Sequence, residues 1–259
     1  MLRMIGNSEE MHLKSAVIGL LLFSAAALAQ NPIPPGTVLP ARLDSSLNSK
    51  KSKPGQTVTA RIMQDVPLSS RVKIPAGAKV IGHVVSVSAP ASRGPAQVTL
   101  RFDRLQWRHQ SVAINTSLRA LASMMNVAEA DVPASGPDRG TPWAWRTRNL
   151  IGGEVAYGEG GPVARGTQIV GRALADGVLV PIEPSPAFGC GGEIAGNTRL
   201  QALWVFSSDA CGVYGIDRVQ ITHAGGSAPV GEIMLTSKQG DLKIARGSGM
   251  LLGVNGSDQ

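Results

Sequence analysis

One short unit recurs four times along this chain, and it constrains the fold more than any other feature. Ile33-Pro34-Pro35-Gly36-Thr37-Val38-Leu39, Ile74-Pro75-Ala76-Gly77-Ala78-Lys79-Val80-Ile81, Val163-Ala164-Arg165-Gly166-Thr167-Gln168-Ile169-Val170 and Ile244-Ala245-Arg246-Gly247-Ser248-Gly249-Met250-Leu251 share one pattern. An apolar residue is followed by Pro or Ala, any residue, Gly, a small residue and an apolar run. The glycine supplies a positive φ, and in the first copy Pro35 presets the φ before it, so each unit reads as a turn that launches a strand. The spacing of the four glycines is irregular, which excludes a solenoid. Composition agrees: 31 glycines and 17 prolines among 259 residues, with only 17% charged residues, argue against a helical bundle. The expected class is all-β, a β-barrel or β-sandwich with long loops and little helix.

Strand signals lie between the turns at 58–66, 79–87, 97–105 and 111–118, then at 168–174, 177–182, 201–207, 217–223, 232–236 and 250–254. Each is enriched in β-branched residues and bounded by Gly, Pro or Ser. Helical periodicity is confined to 118–130, where Leu118, Leu121, Met125 and Ala128 share one face; the same stretch also reads as a strand running into a loop. Met124-Met125 reads as core packing, the usual use of methionine. Residues 131–161, with Pro133-Ala134-Ser135-Gly136-Pro137 and Gly158-Glu159-Gly160-Gly161, read as a linker or surface excursion. The expected organisation is a leader at 1–29, a β-rich module at 30–130, this linker, and a second β-rich module at 162–259 that either stands alone or completes the first.

Lys14, the apolar run Ala16 to Phe23 and the small residues ending Ala27-Leu28-Ala29 have the order of a cleavable secretory signal. Met11 makes a more ordinary start for it than Met1, because Glu9 and Glu10 fall where positive charge belongs. The apolar run is shorter than the roughly 20 residues a membrane-crossing helix needs, and no later stretch offers one. In an exported chain the two cysteines, Cys190 and Cys211, read as a disulfide. A nucleophilic Cys211 lacks a local motif to pair it with any of the four histidines.

Charge is unevenly placed. Residues 31–120 hold 13 Lys and Arg against 3 Asp and Glu, whereas residues 121–259 hold 10 against 13. A basic half and a mildly acidic half of this kind attract each other between copies or domains, or the basic half faces an anionic surface such as lipid headgroups or nucleic acid. Nucleic acid is disfavoured, because the cations are scattered through strand-like segments. The one cluster, Lys50, Lys51 and Lys53 beside Pro54-Gly55, reads as a solvated hairpin tip or a partner surface. Trp143-Ala144-Trp145 puts two scarce rings two residues apart, which reads either as a platform for a sugar or partner or as packing beneath the linker. No cofactor or metal motif is present; the glycine runs lack the Gly-Lys-Ser/Thr ending of a phosphate loop.

The first module resembles a known family. Ile33-Pro34-Pro35-Gly36-Thr37-Val38-Leu39-Pro40-Ala41-Arg42-Leu43 comes first, then Lys53-Pro54-Gly55-Gln56-Thr57-Val58-Thr59-Ala60 and Asp65-Val66. Ile74 to Gly82 and Leu100-Arg101-Phe102-Asp103-Arg104-Leu105 follow. In order and spacing, over about Pro32 to Leu118, these are similar to the C-terminal β-barrel of the TrbI family of conjugation and type IV secretion outer-membrane-core proteins. The resemblance implies a structural barrel acting in envelope assembly. The family's proline-rich arm and membrane-crossing helical hairpin have no counterpart here.

The leading expectation is therefore an exported, non-enzymatic envelope protein, periplasmic or associated with the outer membrane, with other copies or envelope proteins as partners. One rival is a cell-wall glycan-binding module using Trp143 and Trp145. A second is an envelope enzyme, for which Asp103, Asp209 and His223 are the suggestive polar residues; they come from unrelated segments, and acid-base chemistry needs them to converge.

Overall fold

All four turn glycines adopt the left-handed backbone the recurring unit requires, with φ of 77° at Gly36, 86° at Gly77, 58° at Gly166 and 91° at Gly247. The structure is a computed structural model that describes residues 33–89, 94–133, 146–184, 190, 196–226 and 229–256. The leader at 1–29 lies outside the described residues, as do Trp143 and Trp145. No described helix is long and apolar enough to cross a membrane.

From the first turn the chain runs through β1 (Val38–Leu43), β2 (Leu47–Asn48), β3 (Thr57–Ile62), β4 (Val66–Pro67), β5 (Lys73–Ile74), β6 (Lys79–Ser88), β7 (Ala96–Trp107), β8 (Gln110–Ala113) and β9 (Thr116–Ala122). A single described helix, α1 (Met124–Asp131), follows. The next group is β10 (Thr147–Asn149), β11 (Val155–Tyr157), β12 (Pro162–Arg165), β13 (Gln168–Leu174), β14 (Gly177–Ile182) and β15 (Asn197–Ala202). The chain then closes with β16 (Gly212–Tyr214), β17 (Val219–Ile221), β18 (Ile233–Ser237), β19 (Lys243–Ile244) and β20 (Gly249–Val254).

Two sheets carry the architecture. The larger has ten strands in the order β16-β9-β20-β1-β3-β6-β7-β18-β17, with β8 added on β7. All its pairings are antiparallel except β16 on β9. Its end strands β16 and β17 are not paired with each other, so the fold is an all-β sandwich and not a closed barrel. The smaller sheet has six strands in sequential order, β10 to β15. It is inserted between β9 and β16, so strands from both halves of the sequence build the large sheet. The described part of the glycine-rich 131–161 stretch is not loop throughout: β10 and β11 are two of the six strands.

Alternation explains the main core. On β1 the residues Leu39, Ala41 and Leu43, on β3 Val58, Ala60 and Ile62, and on β7 Val98, Leu100 and Phe102 are fully or almost fully buried in one cluster, while the residues between them take the opposite face of the sheet. Each Leu, Ile or Phe so buried contributes about 1.5–3 kcal/mol. β9, β20 and the start of β1 are covered on both faces: Leu118, Leu252 and Leu39 belong to this first core, but Ala120, Leu251 and Val38 belong to a second one. That second core fills the space between the large sheet, α1 and the six-stranded sheet, with Trp204 and Phe206 at its centre.

Three segments differ from what the sequence implies. The stretch with helical periodicity divides at Ser123: Thr116–Ala122 is a strand buried at every position, and because both its faces are covered its apolar residues do not alternate as in a half-exposed strand. Ser123 then accepts a hydrogen bond from the Asn126 N–H at 3.1 Å and caps α1. Met124 and Met125 are 47% and 68% exposed, so they are not core; they begin α1, of which Val127 and Ala130 are the residues that pack inward. The expected strand at 201–207 instead begins at Asn197 and stops at Ala202. Leu203 to Phe206 form a buried turn with Trp204 at φ 54°. That turn is held from afar: the Trp204 N–H donates to Gln64 Oε1 at 2.7 Å, and Gln64 Nε2 donates to the Val178 carbonyl at 2.9 Å. Gly177 is indispensable there, because at its φ of 156° an added Cβ would lie 2.4 Å from Gln64 Oε1 and 2.5 Å from Trp204 Cα.

Candidate functional site

The densest chemistry lies where the six-stranded sheet meets the outer face of the large one. Arg165 ends β12, immediately before the left-handed Gly166, and its guanidinium reaches three carboxylates. Nη2 lies 3.1 Å from Glu154 Oε1 and 3.2 Å from Asp209 Oδ1, and Nη1 lies 2.8 Å from Glu183 Oε2. Nη2 also donates to Ser208 Oγ at 2.7 Å. Glu154 is 1% exposed. It is placed by the tight turn between β10 and β11, where Gly152 and Gly153 have φ of 117° and 105°. Its carboxylate accepts from the Ser208 N–H at 2.8 Å and from the Ser208 hydroxyl. Asp209 in turn accepts from the Ser207 hydroxyl at 2.7 Å.

A second cation enters from the large sheet. β9 carries a bulge opposite Leu251 and Leu252: Leu251 faces Ala120 and Leu252 faces Leu118, which leaves Arg119 unmatched and turns it outward. Arg119 is 5% exposed, and it donates through Nε to the Ala210 carbonyl at 3.0 Å and through Nη2 to the Glu183 carbonyl at 3.1 Å. Burial lowers its affinity for the proton, with the negative charge of Asp209 opposing. For Arg165 burial acts in the same direction, but the combined field of Asp209, Glu154 and Glu183 outweighs it and holds the guanidinium more firmly charged. Beside them the Cys190–Cys211 disulfide is formed, with Cα atoms 5.6 Å apart. The Cys211 N–H donates to the Tyr214 hydroxyl at 3.0 Å, and burial pushes the Tyr214 phenol above its ordinary pKa.

These bonds leave the cluster occupied with itself. The Arg165 guanidinium, three carboxylates and two serine hydroxyls satisfy one another, while Arg119 is satisfied by two backbone carbonyls; a low-dielectric setting makes such a network strong when complete and costly when broken. It joins β9, β12, the β10–β11 turn and the chain around Cys211, so it fastens the inserted sheet to the large one. Two open clefts lie along the inserted sheet. One of about 530 Å³ lies between α1 and Asn149–Gly152, with Asn126, Glu129 and Tyr214 as its polar lining. The other, about 210 Å³, is lined by Arg146, Arg148 and Glu159 together with Ala156 and Leu174. Arg148 Nη1 is buried there without a hydrogen-bond partner.

The residues singled out by sequence go to separate places. Cys190 and Cys211 are bonded as expected. Lys50 pairs with Asp241 at 2.8 Å, while Lys51 and Lys53 are exposed beside it in the β2–β3 connection. Asp103 pairs with His83, Oδ2 to Nδ1 at 3.0 Å, on the outer face of β6 and β7. Asp209 belongs to the Arg165 cluster, and His223 is exposed in the turn after β17. No hydrogen bond or ion pair links Asp103, Asp209 and His223 to one another. Among the described residues no group of three or more His, Cys, Asp or Glu side chains is placed to hold a metal ion.

Sequence reasoning missed Arg165, Glu154, Glu183 and Arg119. One signal was available: Arg119 is the lone charge in Ser117-Leu118-Arg119-Ala120-Leu121-Ala122, and a single cation inside an apolar run implies a buried partner. No family model matches this chain, and no curated protein matches its sequence.

Proposed function

We propose that this chain is an exported, non-enzymatic protein of the cell envelope that acts by binding or assembly in the periplasm, as its resemblance to the TrbI-like barrel implies. The observation that carries this reading is the disulfide between Cys190 and Cys211 set against the Arg165 cluster. A disulfide persists in oxidising compartments. Here it closes a loop of the inserted sheet at the point where the charged side chains are bonded to one another, which supports a fastening role. Asp209, the polar residue of that region with most claim to catalysis, is engaged by Arg165 and Ser207.

The test is localisation together with assembly state. Cell fractionation is expected to place the chain outside the cytoplasm with its thiols protected from alkylation. Light scattering on the oxidised protein is expected to give a discrete multi-subunit species or a stable complex with an envelope partner. Cytoplasmic retention with two free thiols, or a hydrolytic or transferase activity that maps to this chain, would overturn the reading.

A further inference from the structure

The outer face of the large sheet carries an arrangement for which folding offers no return. Arg42 on β1 lies directly opposite Arg61 on β3, and Arg61 lies directly opposite Lys79 on β6. Their strand neighbours Ala41, Leu43, Ala60, Ile62 and Val80 are in the core, so all three cations stand on the outside. With strands about 4.8 Å apart, three positive charges fall within about 10 Å. Like charges placed directly opposite each other destabilise a sheet. Asp44 approaches Arg61 at 3.4 Å, but Arg42 and Lys79 have no ion-pair or hydrogen-bond partner among the described residues. Arg104 of β7, exposed and opposite Ile81, extends the row by one more strand.

At its other end the row runs into α1. Arg42 faces Gly249 of β20, and an added Cβ on Gly249 would lie 2.7 Å from Val127 of the helix. Met124 lies against Gly247, next to the exposed Arg246, and it is here that Met124 and Met125 turn to solvent. Cations in a row across neighbouring strands and two flexible apolar side chains therefore share one border of the molecule. The acidic residues of α1, Glu129 and Asp131, lie at the opposite end of the helix.

We propose that this face docks on an anionic lipid surface. Arg42, Arg61, Lys79 and Arg104 meet headgroup phosphates, while Met124 and Met125 enter the boundary between headgroups and acyl chains. A polybasic face beside apolar side chains is the combination such a surface retains. A nucleic acid would want rings to stack on, but β1, β3 and β6 contain no Phe, Tyr or Trp, and Phe102 and Trp107 of β7 pack on the core.

The experiment is vesicle flotation of the full chain. Vesicles of phosphatidylcholine with phosphatidylglycerol are compared with phosphatidylcholine alone, which reports whatever the apolar stretch at 16–29 adds. The chain is expected to prefer the anionic vesicles and to be released by salt. The combined Arg42→Gln, Arg61→Gln and Lys79→Gln variant is expected to lose roughly a hundredfold in affinity, with its melting temperature unchanged or raised. Lys79→Gln alone, safe for folding, is expected to lose about fivefold. Met124→Ser with Met125→Ser is expected to lose about tenfold, with the same salt dependence. Equal binding to both vesicles, or unchanged binding by the row variants, would overturn the proposal. It would also be overturned if the row variants instead abolished binding to a single-stranded oligonucleotide, or dissolved a self-associated species, with no preference for anionic vesicles.

Discussion

Arg165 and Arg246 occupy the same place in two copies of one turn, Val163-Ala164-Arg165-Gly166 and Ile244-Ala245-Arg246-Gly247, and they meet opposite fates. Arg165 is drawn into three carboxylates at the seam of the two sheets; Arg246 stands free at the border of a row of cations. Both arginines precede a glycine of positive φ, 58° and 91°, but Gly166 sits at the tip of the β12–β13 hairpin, whereas the Gly247 N–H donates to the Leu43 carbonyl of β1. The neighbours differ too. The β12 turn faces the β10–β11 hairpin and the chain around Asp209, which bring anions, whereas the β20 turn emerges beside β1 and α1, where the sheet carries Arg42, Arg61 and Lys79. A short sequence unit therefore fixes how a side chain is presented, and the tertiary partners decide whether its charge is spent inside the fold or left for something outside it.

The sharpest way to break this contrast is at the paired end. Replacing Arg165 with Met strands the buried Glu154 and sets Glu183 and Asp209 against it, and is expected to cost about 3–5 kcal/mol in urea unfolding. Adding Glu154→Gln to that variant is expected to return part of the loss, because the two groups are coupled. Removing the disulfide by changing Cys190 and Cys211 to Ser, a pair 21 residues apart, is expected to cost about 3 kcal/mol by the chain-entropy argument.

A smaller effect is expected at an exposed pair. Asp65 is held below its ordinary pKa by the Lys73 ammonium and then by the Ala76 N–H. A depressed carboxylate stabilises the fold above the unfolded-state pKa, near 3.8, and that contribution is lost as pH falls through the lower folded-state value. Asp65→Asn should thus flatten the acid limb of a pH–melting curve and cost no more than about 1 kcal/mol at neutral pH, since both partners are well exposed. The smallest change is at the unpaired end. Lys79→Gln is expected to leave unfolding unchanged or to raise it by roughly a few tenths of a kcal/mol. A clear loss there would show that the row is internally stabilised and would erase the distinction from Arg165.

The scaffold was more legible in the sequence than the seam. Turn glycines and alternating β-branched runs act locally, so β6, β7, β13, β14 and β20 lie close to where the pattern puts them. The turn at Trp204 was not legible, because its backbone conformation is imposed by Gln64, 140 residues away in sequence. The Arg165 cluster was hidden for the same reason: Glu154, Glu183 and Asp209 come from three segments with no common motif, and only the pairing of sheets brings them to one guanidinium. The exposed Met124 and Met125 show the converse, where an apolar pair suited to a core is left outside by the start of a helix.

The position of β20 has a consequence for how the molecule comes into being. The last of the described strands is not at an edge; it lies between β9 and β1, bonded to both. Until residues 249–254 arrive, β1 and β9 present bare hydrogen-bonding edges, and the longest-range pairing in the sheet is also among the last possible. A chain made from the N-terminus therefore stays unsealed there until residues 249–254 have emerged. Such a chain remains extensible for as long as any of it is still in transit, and one cut short before β20 is left with two adhesive edges where the intact protein has a continuous wall.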